Sequence, residues 1–577
     1  MVRQNEYFRA SSGQPAELRT QRLSLDAATR IHFSFDARIA LAARSVLLNV
    51  AGSVVREDSV DAGWRCQLVD TTGHVRRWWD ARGVTSVIRY DQRGRLVSCD
   101  EGYDGRLHRA ERLRYGNTDA SEANACGRVV QHADPAGITV IGGYSLGGAV
   151  VTEGRRFLEE MVESDWADDL EPCGEPIEAE EYVTAFRYSA AGEVIATTDP
   201  DGHVCRRSYS IAGQEDSMYL QDGPLLVTGR EYDAAGRIDR ECYANGLVTV
   251  SSVDPASGRP ALRSVIGRSA TAVHVLTYGY DPAGNVVRVE RGEGAVASLA
   301  TYGLDTLYQL VHASGWQSPG AKPFDAFAGP RGKASDRYTQ RYLYDAGGNL
   351  VETRHEASVT QVQSLVVSPT SNRAWPMGES ADFDAAGNPI RQRDIQRIEW
   401  NARGGISHAW MDPLAGHVAS VESYAYDAKG RRMRRRTLDG AGGLLSDIRH
   451  LHEFRRIRSV SGTASGGLEL RAAYASICVG HQGSAAAVRY DHFDAVGSAV
   501  VVFDDDGALI RSEHYFPYGA TASWNSRDEG EEPGCSIHFA GRERDGTGLR
   551  NFGHRVYDPG QGRWPSPDPD RYVDGTN

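Results

Sequence analysis

The chain has 577 residues, of which 40% are hydrophobic, 24% are charged and 63 are glycine. This is a globular composition far longer than one ordinary domain, and a glycine share above the usual ~7% points to many tight turns and an all-β body. The net charge of −13 at pH 7 argues against a nucleic-acid partner, which would call for a basic face.

The N-terminus, MVRQNEYFRASSGQPAELR, has no apolar core, so no signal peptide is recognised and synthesis in the cytoplasm is expected, with export by another route. No stretch approaches the ~18 apolar residues of a membrane-spanning helix, and no direct membrane contact is expected. A phrase then begins to recur: an aromatic, Asp, two small or polar residues, and Gly. It reads YDQRG at Tyr90–Gly94, YDAAG at Tyr232–Gly236, YDPAG at Tyr280–Gly284 and YDAGG at Tyr344–Gly348. It returns as FDAAG at Phe383–Gly387, YDAKG at Tyr426–Gly430, FDAVG at Phe493–Gly497 and FDDDG at Phe503–Gly507. Looser copies are YSAAG at Tyr188–Gly192, YSIAG at Tyr209–Gly213 and WNARG at Trp400–Gly404, and Asp134–Gly137 and Asp199–Gly202 carry the turn without the aromatic.

One copy is physically readable. The Asp carboxylate accepts from backbone N–H groups ahead of it and closes a turn, and Gly takes the left-handed position that other residues avoid. The aromatic before it and β-branched residues after it, such as Val286, Val287 and Val289, supply two strands. Each copy is a β-hairpin. A lone hairpin is marginal in water, so a dozen copies predict a long antiparallel sheet that curls through its own twist. The uneven spacing disfavours a strict solenoid or a propeller.

Between the copies, 154–170 (GRRFLEEMVESDWADDL) has helical composition and reads as a short helix or an ordered insertion. Gly315–Ser335 reads as a loop and Glu529–Gly534 as an exposed acidic turn. Arg431, Arg432, Arg434, Arg435 and Arg436 are expected on a solvated or internally paired strand face. His450 and His452 stand close but without a third ligand, and a solvated strand face is expected for them. The eight cysteines, with no CxxC, read as reduced and mostly buried thiols. No phosphate-binding or dinucleotide fingerprint occurs, so no cofactor and no metal are expected.

The YD phrase resembles that of Rhs and YD-repeat proteins. Several other phrases are similar to the C component of bacterial insecticidal toxin complexes: 114–139 (RYGNTDASEANACGRVVQHADPAGIT), Leu307–Gly315, Ser371–Trp375 and Tyr515–Trp524. Gly541–Pro569 (GRERDGTGLRNFGHRVYDPGQGRWPSPDP) resembles the Rhs-associated core. The resemblance runs from about residue 20 to the end. It implies a hollow β-shell built with a B component, through which a pore-forming A component docks, around a toxic polypeptide that follows the core. It also implies that the core is an internal aspartic protease, with Asp568 as its first catalytic Asp and Arg555 as the arginine upstream. The second Asp should lie in a later DPxG phrase past Asn577. Neither Asp570 nor Asp574 takes its place, so the 577-residue chain is expected not to cut itself.

These readings divide the chain into a tail at 1–20, a repeat shell at 21–540 and the start of the core at 541–577. The shell's interior is expected to be roomy and lined by charged and small residues. The chain is expected to act through shape, as a toxin-complex shell subunit lacking its enzyme and secreted with the complex. One alternative is a YD-repeat adhesion or carbohydrate-binding surface protein. Another is a serine hydrolase, since Gly143–Gly147 (GYSLG) matches G-x-S-x-G with Ser145 as nucleophile. That elbow needs alternating strands and helices, whereas turn-separated β pattern surrounds it.

Overall fold

The computed structural model describes residues 2–8, 17–26, 30–39, 41–171, 173, 176–293, 296–326, 332–380, 382–411, 419–459, 464–482, 485–527 and 537–569. Among them the helical elements are two 3₁₀ turns of three residues, Thr118–Ala120 and Phe539–Gly541. All else that is regular is antiparallel β. Each strand from Val2–Phe8 to Ala374–Pro376 pairs with the next in the chain, giving a sheet of 29 strands. A second meander of 12 strands runs from Ile395–Trp400 to Thr521–Ser526, followed by a three-stranded sheet, Glu543–Arg544, Arg550–Asn551 and Val556–Tyr557. The long sheet is open: among the described residues, Val2–Phe8 and Ala374–Pro376 each pair with one neighbour.

The repeated turn is built the same way at each copy. In YDQRG the backbone N–H of Gly94 donates to Asp91 O at 3.0 Å and that of Asp91 to Arg95 O at 2.9 Å. Asp91 Oδ1 accepts from the N–H groups of Arg93 (2.8 Å) and Arg95 (2.9 Å), and Oδ2 from Arg95 Nε at 2.7 Å. Gly94 sits at φ +75°, where a Cβ would be strained. Asp233, Asp345, Asp384 and Asp427 repeat these bonds, with Arg or Asn after the glycine closing on the carboxylate.

The tyrosine of the phrase does more than favour a strand. Its hydroxyl donates to the backbone carbonyl two residues after the turn residue that ends the preceding turn. Tyr115 reaches Leu96 O, Tyr144 reaches Val129 O, Tyr188 reaches Val150 O, and Tyr426 reaches Ile406 O, at 2.6–2.9 Å. Tyr90, Tyr209, Tyr280, Tyr344 and Tyr515 obey the same rule. The residue after the preceding turn often covers the ring as well: His74 stacks on Tyr90, and Arg95, Arg128 and Arg259 lie over Tyr115, Tyr144 and Tyr280. Each hairpin is thereby tied to the one before it.

The two meanders form one winding. Arg82 Nη1 donates to Asn401 O (2.9 Å), Arg434 Nη1 to Leu158 O (2.7 Å) and the N–H of Ala473 to Glu241 Oε1 (3.2 Å). Further along, Thr249 meets His492 (3.0 Å), Arg291 Nη1 donates to Glu513 O (3.4 Å) and the N–H of Ser318 to Ala522 O (3.0 Å). As the first coil advances from 82 to 318 the second advances from 401 to 522, in the same direction over the same arc. The second coil is the tighter one. Between them lies an apolar layer in which Phe157, Met218, Leu226, Leu247 and Val265 of the first coil meet Phe454, Leu470, Ile477, Val501 and Phe503 of the second. Fully burying such a side chain contributes about 1.5–3 kcal/mol, so this layer is a principal bond between the coils.

The structure revises some of the sequence expectations and sharpens others. The segment 154–170 is not a helix: Val150–Phe157 is a strand, and an ordered insertion follows whose Trp166 and Leu170 are buried against Ala133, Ile138 and Leu158. The apolar residues of that stretch serve a sheet face and its cover, and its acidic residues mimic helical composition. The five arginines are internally paired, one of the two expected readings, and three are buried. One extra residue at Met433 interrupts the register between Arg432 and Arg434. Arg432 and Arg435 therefore share Asp545 and Glu543, while Arg434 and Arg436 turn to Asp447 and Glu160. His450 is half-buried beside Glu543, and His452 holds Glu153 at 2.6 Å. Cys66, Cys99, Cys126, Cys173, Cys205 and Cys242 are free thiols, Cys126 and Cys173 exposed, but Cys478 is disulfide-bonded. Gly315–Gln317 ends a strand before its loop, and Glu529–Gly534 lies outside the described residues.

Asp427→Ala would leave two backbone donors and Arg431 without their carboxylate, and should destabilise by about 1–3 kcal/mol. Gly430→Ala adds the strain of φ +75° and brings a Cβ to 2.8 Å from His554 Nδ1. Thermal unfolding should show both variants melting below the parent, and Lys429→Ser at the exposed position of the turn should not.

Candidate functional site

The core phrase folds into a hook that begins beneath the second coil and returns to the first. Its strand Glu543–Arg544 is held by the buried Arg432 and Arg435, and Glu422 accepts from the N–H groups of Gly546 (3.1 Å) and Thr547 (3.3 Å). A tight turn between Arg550–Asn551 and Val556–Tyr557, closed by Phe552 N–H on Arg555 O at 2.9 Å, presents His554 and Arg555. Asp558 then shapes the next turn, accepting from the N–H groups of Gly560 (2.8 Å) and Gln561 (3.2 Å) and from Gln392 Nε2 (2.6 Å). That turn sends the chain back so that Trp564 lies under Arg555.

The two residues singled out in the core meet. Arg555 Nη1 donates to Asp568 Oδ2 at 2.8 Å and Nη2 to Ser566 O at 3.1 Å. The guanidinium lies 4.5 Å over the Trp564 ring, which Phe552 (5.0 Å) and Tyr557 (5.2 Å) hold edge-on. Burial pushes the Arg555 guanidinium below its ordinary value, and Asp568 opposes that. Arg563 fastens the hook to the first coil through Asn372 O (2.7 Å) and Asn349 Oδ1 (3.2 Å). Asn372 in turn donates from Nδ2 to Asp61 Oδ2 (3.0 Å), so the site stands where the start and end of the first coil meet the hook.

Two cavities open beside this pair. One, of about 400 Å³, has Asp568 on its rim with Pro567 and Pro569. The other, of about 880 Å³, is bordered by Arg555, His554, Tyr103, Trp400 and Tyr426. Arg82, Glu101 and Arg403 stand in the walls of both. The other carboxylates around Asp568's cavity are engaged: Asp80 by Arg82 (2.9 Å), Glu101 by Arg403 (2.9 Å), and Glu111 by Arg403 (3.2 Å) and His132 (2.8 Å). Aspartic chemistry needs a second carboxylate free to share one proton. Asp570 and Asp574 lie outside the described residues. Among the described residues no group of three His, Cys, Asp or Glu could hold a metal ion, and no helix is long and apolar enough to cross a membrane.

Ser145 is not a nucleophile elbow. Tyr144–Gly148 is another copy of the repeated turn, between strands Gly137–Tyr144 and Val150–Phe157. Ser145 stands in the Asp position, its Oγ accepting from the N–H of Ala149 at 3.1 Å, with Gly148 at φ +87°. The G-x-S-x-G match is two residues of turn chemistry read as catalysis. Asp70–Gly73 and Asp305–Tyr308 are further copies passed over in the sequence, the second with Tyr308 at φ +61° in place of glycine.

This architecture has known relatives. The Teneurin YD-shell family model matches residues 332–576. Toxin subunit YenC1 of Yersinia entomophaga is 29% identical over 92% of this chain and 60% of its own length. The crystal structure of TcdB2-TccC3 superimposes with a TM-score of 0.93 at 26% identity, over the whole of this chain and 31% of that one. The chain has the fold of the YD-repeat shells. The same fold recurs in the Photorhabdus luminescens Tc holotoxin pore, with a TM-score of 0.93, 26% identity and cover of 100% of this chain and 29% of that one. The YD-shell chain thus spans about three-fifths of the curated toxin subunit it matches.

Sequence reasoning missed Trp564 and Ser566 as partners of Arg555. Their proximity depends on the Asp558 turn, and the one hint was an aromatic beside a Gly-Arg pair. Arg555→Lys keeps the charge but loses the fork and the flat stack. Amide exchange at Phe552 and Arg563, whose N–H groups bond Arg555 O and Asp558 O, should rise at least severalfold in Arg555→Lys and in Trp564→Ala, and stay at the parent rate in His554→Ala.

Proposed function

We propose that this YD-shell chain is one part of a bacterial toxin-complex shell that encloses a second polypeptide for delivery outside the producing cell. The observation that carries this is the double coil of strands, matched along its whole length by TcdB2-TccC3. A winding of this kind separates a lumen from solvent without needing turnover. The open sheet supports a partner of the same build, because an unpaired strand edge is a template for another chain. On this reading a B-type YD-repeat subunit with a propeller closes the shell, a pore-forming A component docks through it, and a toxic polypeptide occupies a roomy interior lined by charged and small residues. The shell is secreted with the complex and binds no nucleic acid. Co-expression with a matching B-type subunit should give a stable co-purifying complex, and the chain alone should be poorly soluble. A clean monomer that ignores that subunit would overturn the reading; glycan binding by the monomer would favour an adhesin.

Arg555 and Asp568 belong to this proposal as the first half of a self-cleaving aspartic site. The fork from Arg555 orients the Asp568 carboxylate toward a cavity edge, where a second acid from a following phrase would share its proton. Without that acid the 577-residue chain should keep its intact mass on prolonged incubation, as should Asp568→Asn. Fragments from the parent that vanish in Asp568→Asn would show a complete protease within these residues.

A further inference from the structure

The seam between the coils holds two histidines with nowhere to put a second proton. His355, on the first-coil strand Leu350–Glu356, is wholly buried, and neither ring nitrogen has a hydrogen-bond partner. Tyr338 stacks on it at 5.5 Å and Phe516 of the second coil meets it edge-on at 5.4 Å, while Gln340 and Gln361 stand opposite on the flanking strands. The charge that reaches Tyr338 is the cation Arg291. His492, on the second-coil strand Ala485–Phe493, is 2% exposed. Its Nδ1 meets Thr249 Oγ1 of the first coil at 3.0 Å, and its Nε2 has no partner. Tyr243 and Phe503 enclose the ring edge-on. The charged groups facing this nest are Arg263, a cation, and Glu241, already bound to Arg230 and to the Tyr243 hydroxyl.

We propose that the seam between the coils is an acid-sensitive closure, in which a proton taken up at His355 or His492 parts the first coil from the second. An imidazolium in either nest would be a buried charge with at least one N–H left without an acceptor, beside aromatic rings and with an arginine as the nearest charge, and this costs far more than opening to water. Burial accordingly holds His355 down to about 4 and His492 to about 3. The sign follows. Above the ordinary imidazole value of ~6.5 neither form of the seam binds the proton and pH is indifferent. Below it the open seam binds protons that the closed seam refuses, so closure weakens steadily down to about pH 4. Each such histidine shifts the equilibrium toward opening by up to about tenfold per pH unit. The use of this opening to release an enclosed polypeptide rests on the shell reading; the response of the seam itself does not.

Two backbone bonds report the seam directly, from the N–H of Ser318 to Ala522 O (3.0 Å) and from the N–H of Gly332 to Trp524 O (2.8 Å). Hydrogen–deuterium exchange of peptides covering these amides, corrected for the intrinsic pH dependence, should show protection falling at least tenfold between pH 7.5 and 4.5. In His355→Phe combined with His492→Asn the fall should be largely abolished. Constant protection in the parent, or the same loss in the double variant, would overturn the proposal. Should the double variant fail to fold, histidines labelled with ¹³C at Cε1 give the answer in the parent chain. Two imidazoles that remain neutral to pH 5 until the seam opens support it, and titration of every imidazole near 6.5 in the closed protein refutes it.

Discussion

Everything in this molecule depends on a carboxylate that organises a turn and a tyrosine that remembers where the previous turn ended. Asp91, Asp233 and Asp427 close their turns on their own backbone, which makes each hairpin locally self-sufficient. Hairpins alone would add up to an unconstrained ribbon. The hydroxyls of Tyr115, Tyr188 and Tyr426, each delivered to a carbonyl of the preceding hairpin, set the relation of one unit to the next. A phenylalanine in that place, as in Phe383 and Phe503, keeps the ring and forgoes the link. Repeating a fixed relation turns twist into a coil, and a coil long enough meets itself.

That meeting supplies what local chemistry cannot. Apolar residues from one strand face of each coil form a shared layer, and polar groups reach across it to main-chain atoms: Arg82 to Asn401, Arg434 to Leu158, Arg263 to Phe493. The hook uses the same economy. Arg432 and Arg435 are buried because Glu543 and Asp545 come to them, and removing either side would strand charges that burial makes costly. Arg555 and Asp568 thus occupy a junction whose position is set by contacts with three separate parts of the chain.

The hairpins were legible because their determinants are local. Asp, Gly and the intervening small residues lie within five positions, and the structure places a turn at each of the full YD and FD phrases. Copies with substitutes were harder: Ser145 with Gly148 resembled a hydrolase motif, and Asp305 with Tyr308 lacked the glycine. The partner of each tyrosine hydroxyl lies 15 or more residues back, at a position defined by the preceding turn and not by residue type. The helical look of 154–170 failed because Phe157 and Trp166 are used by tertiary contacts that composition does not reveal. The seam was not legible at all, since it joins residues such as Gly332 and Trp524, 192 apart, and Arg82 and Asn401, 319 apart, whose side chains carry no mutual signature. In the candidate site, the resemblance supplied Arg555 and Asp568, and only the fold supplied Trp564 and the adjoining cavities.

Two successive meanders are wound as coils, the second seated on the first. Thr249 and His492 face each other across that seam, with Oγ1 and Nδ1 3.0 Å apart. Thr249→Cys combined with His492→Cys should form a disulfide in the folded protein under mild oxidation, identified by peptide mapping. The neighbouring-strand pair Thr301→Cys with Ser314→Cys, whose hydroxyls lie 2.8 Å apart, serves as the control within one coil. Both links forming is the predicted result. Ready cross-linking of the control with none between 249 and 492 would mean that the coils do not lie together, and would contradict the account.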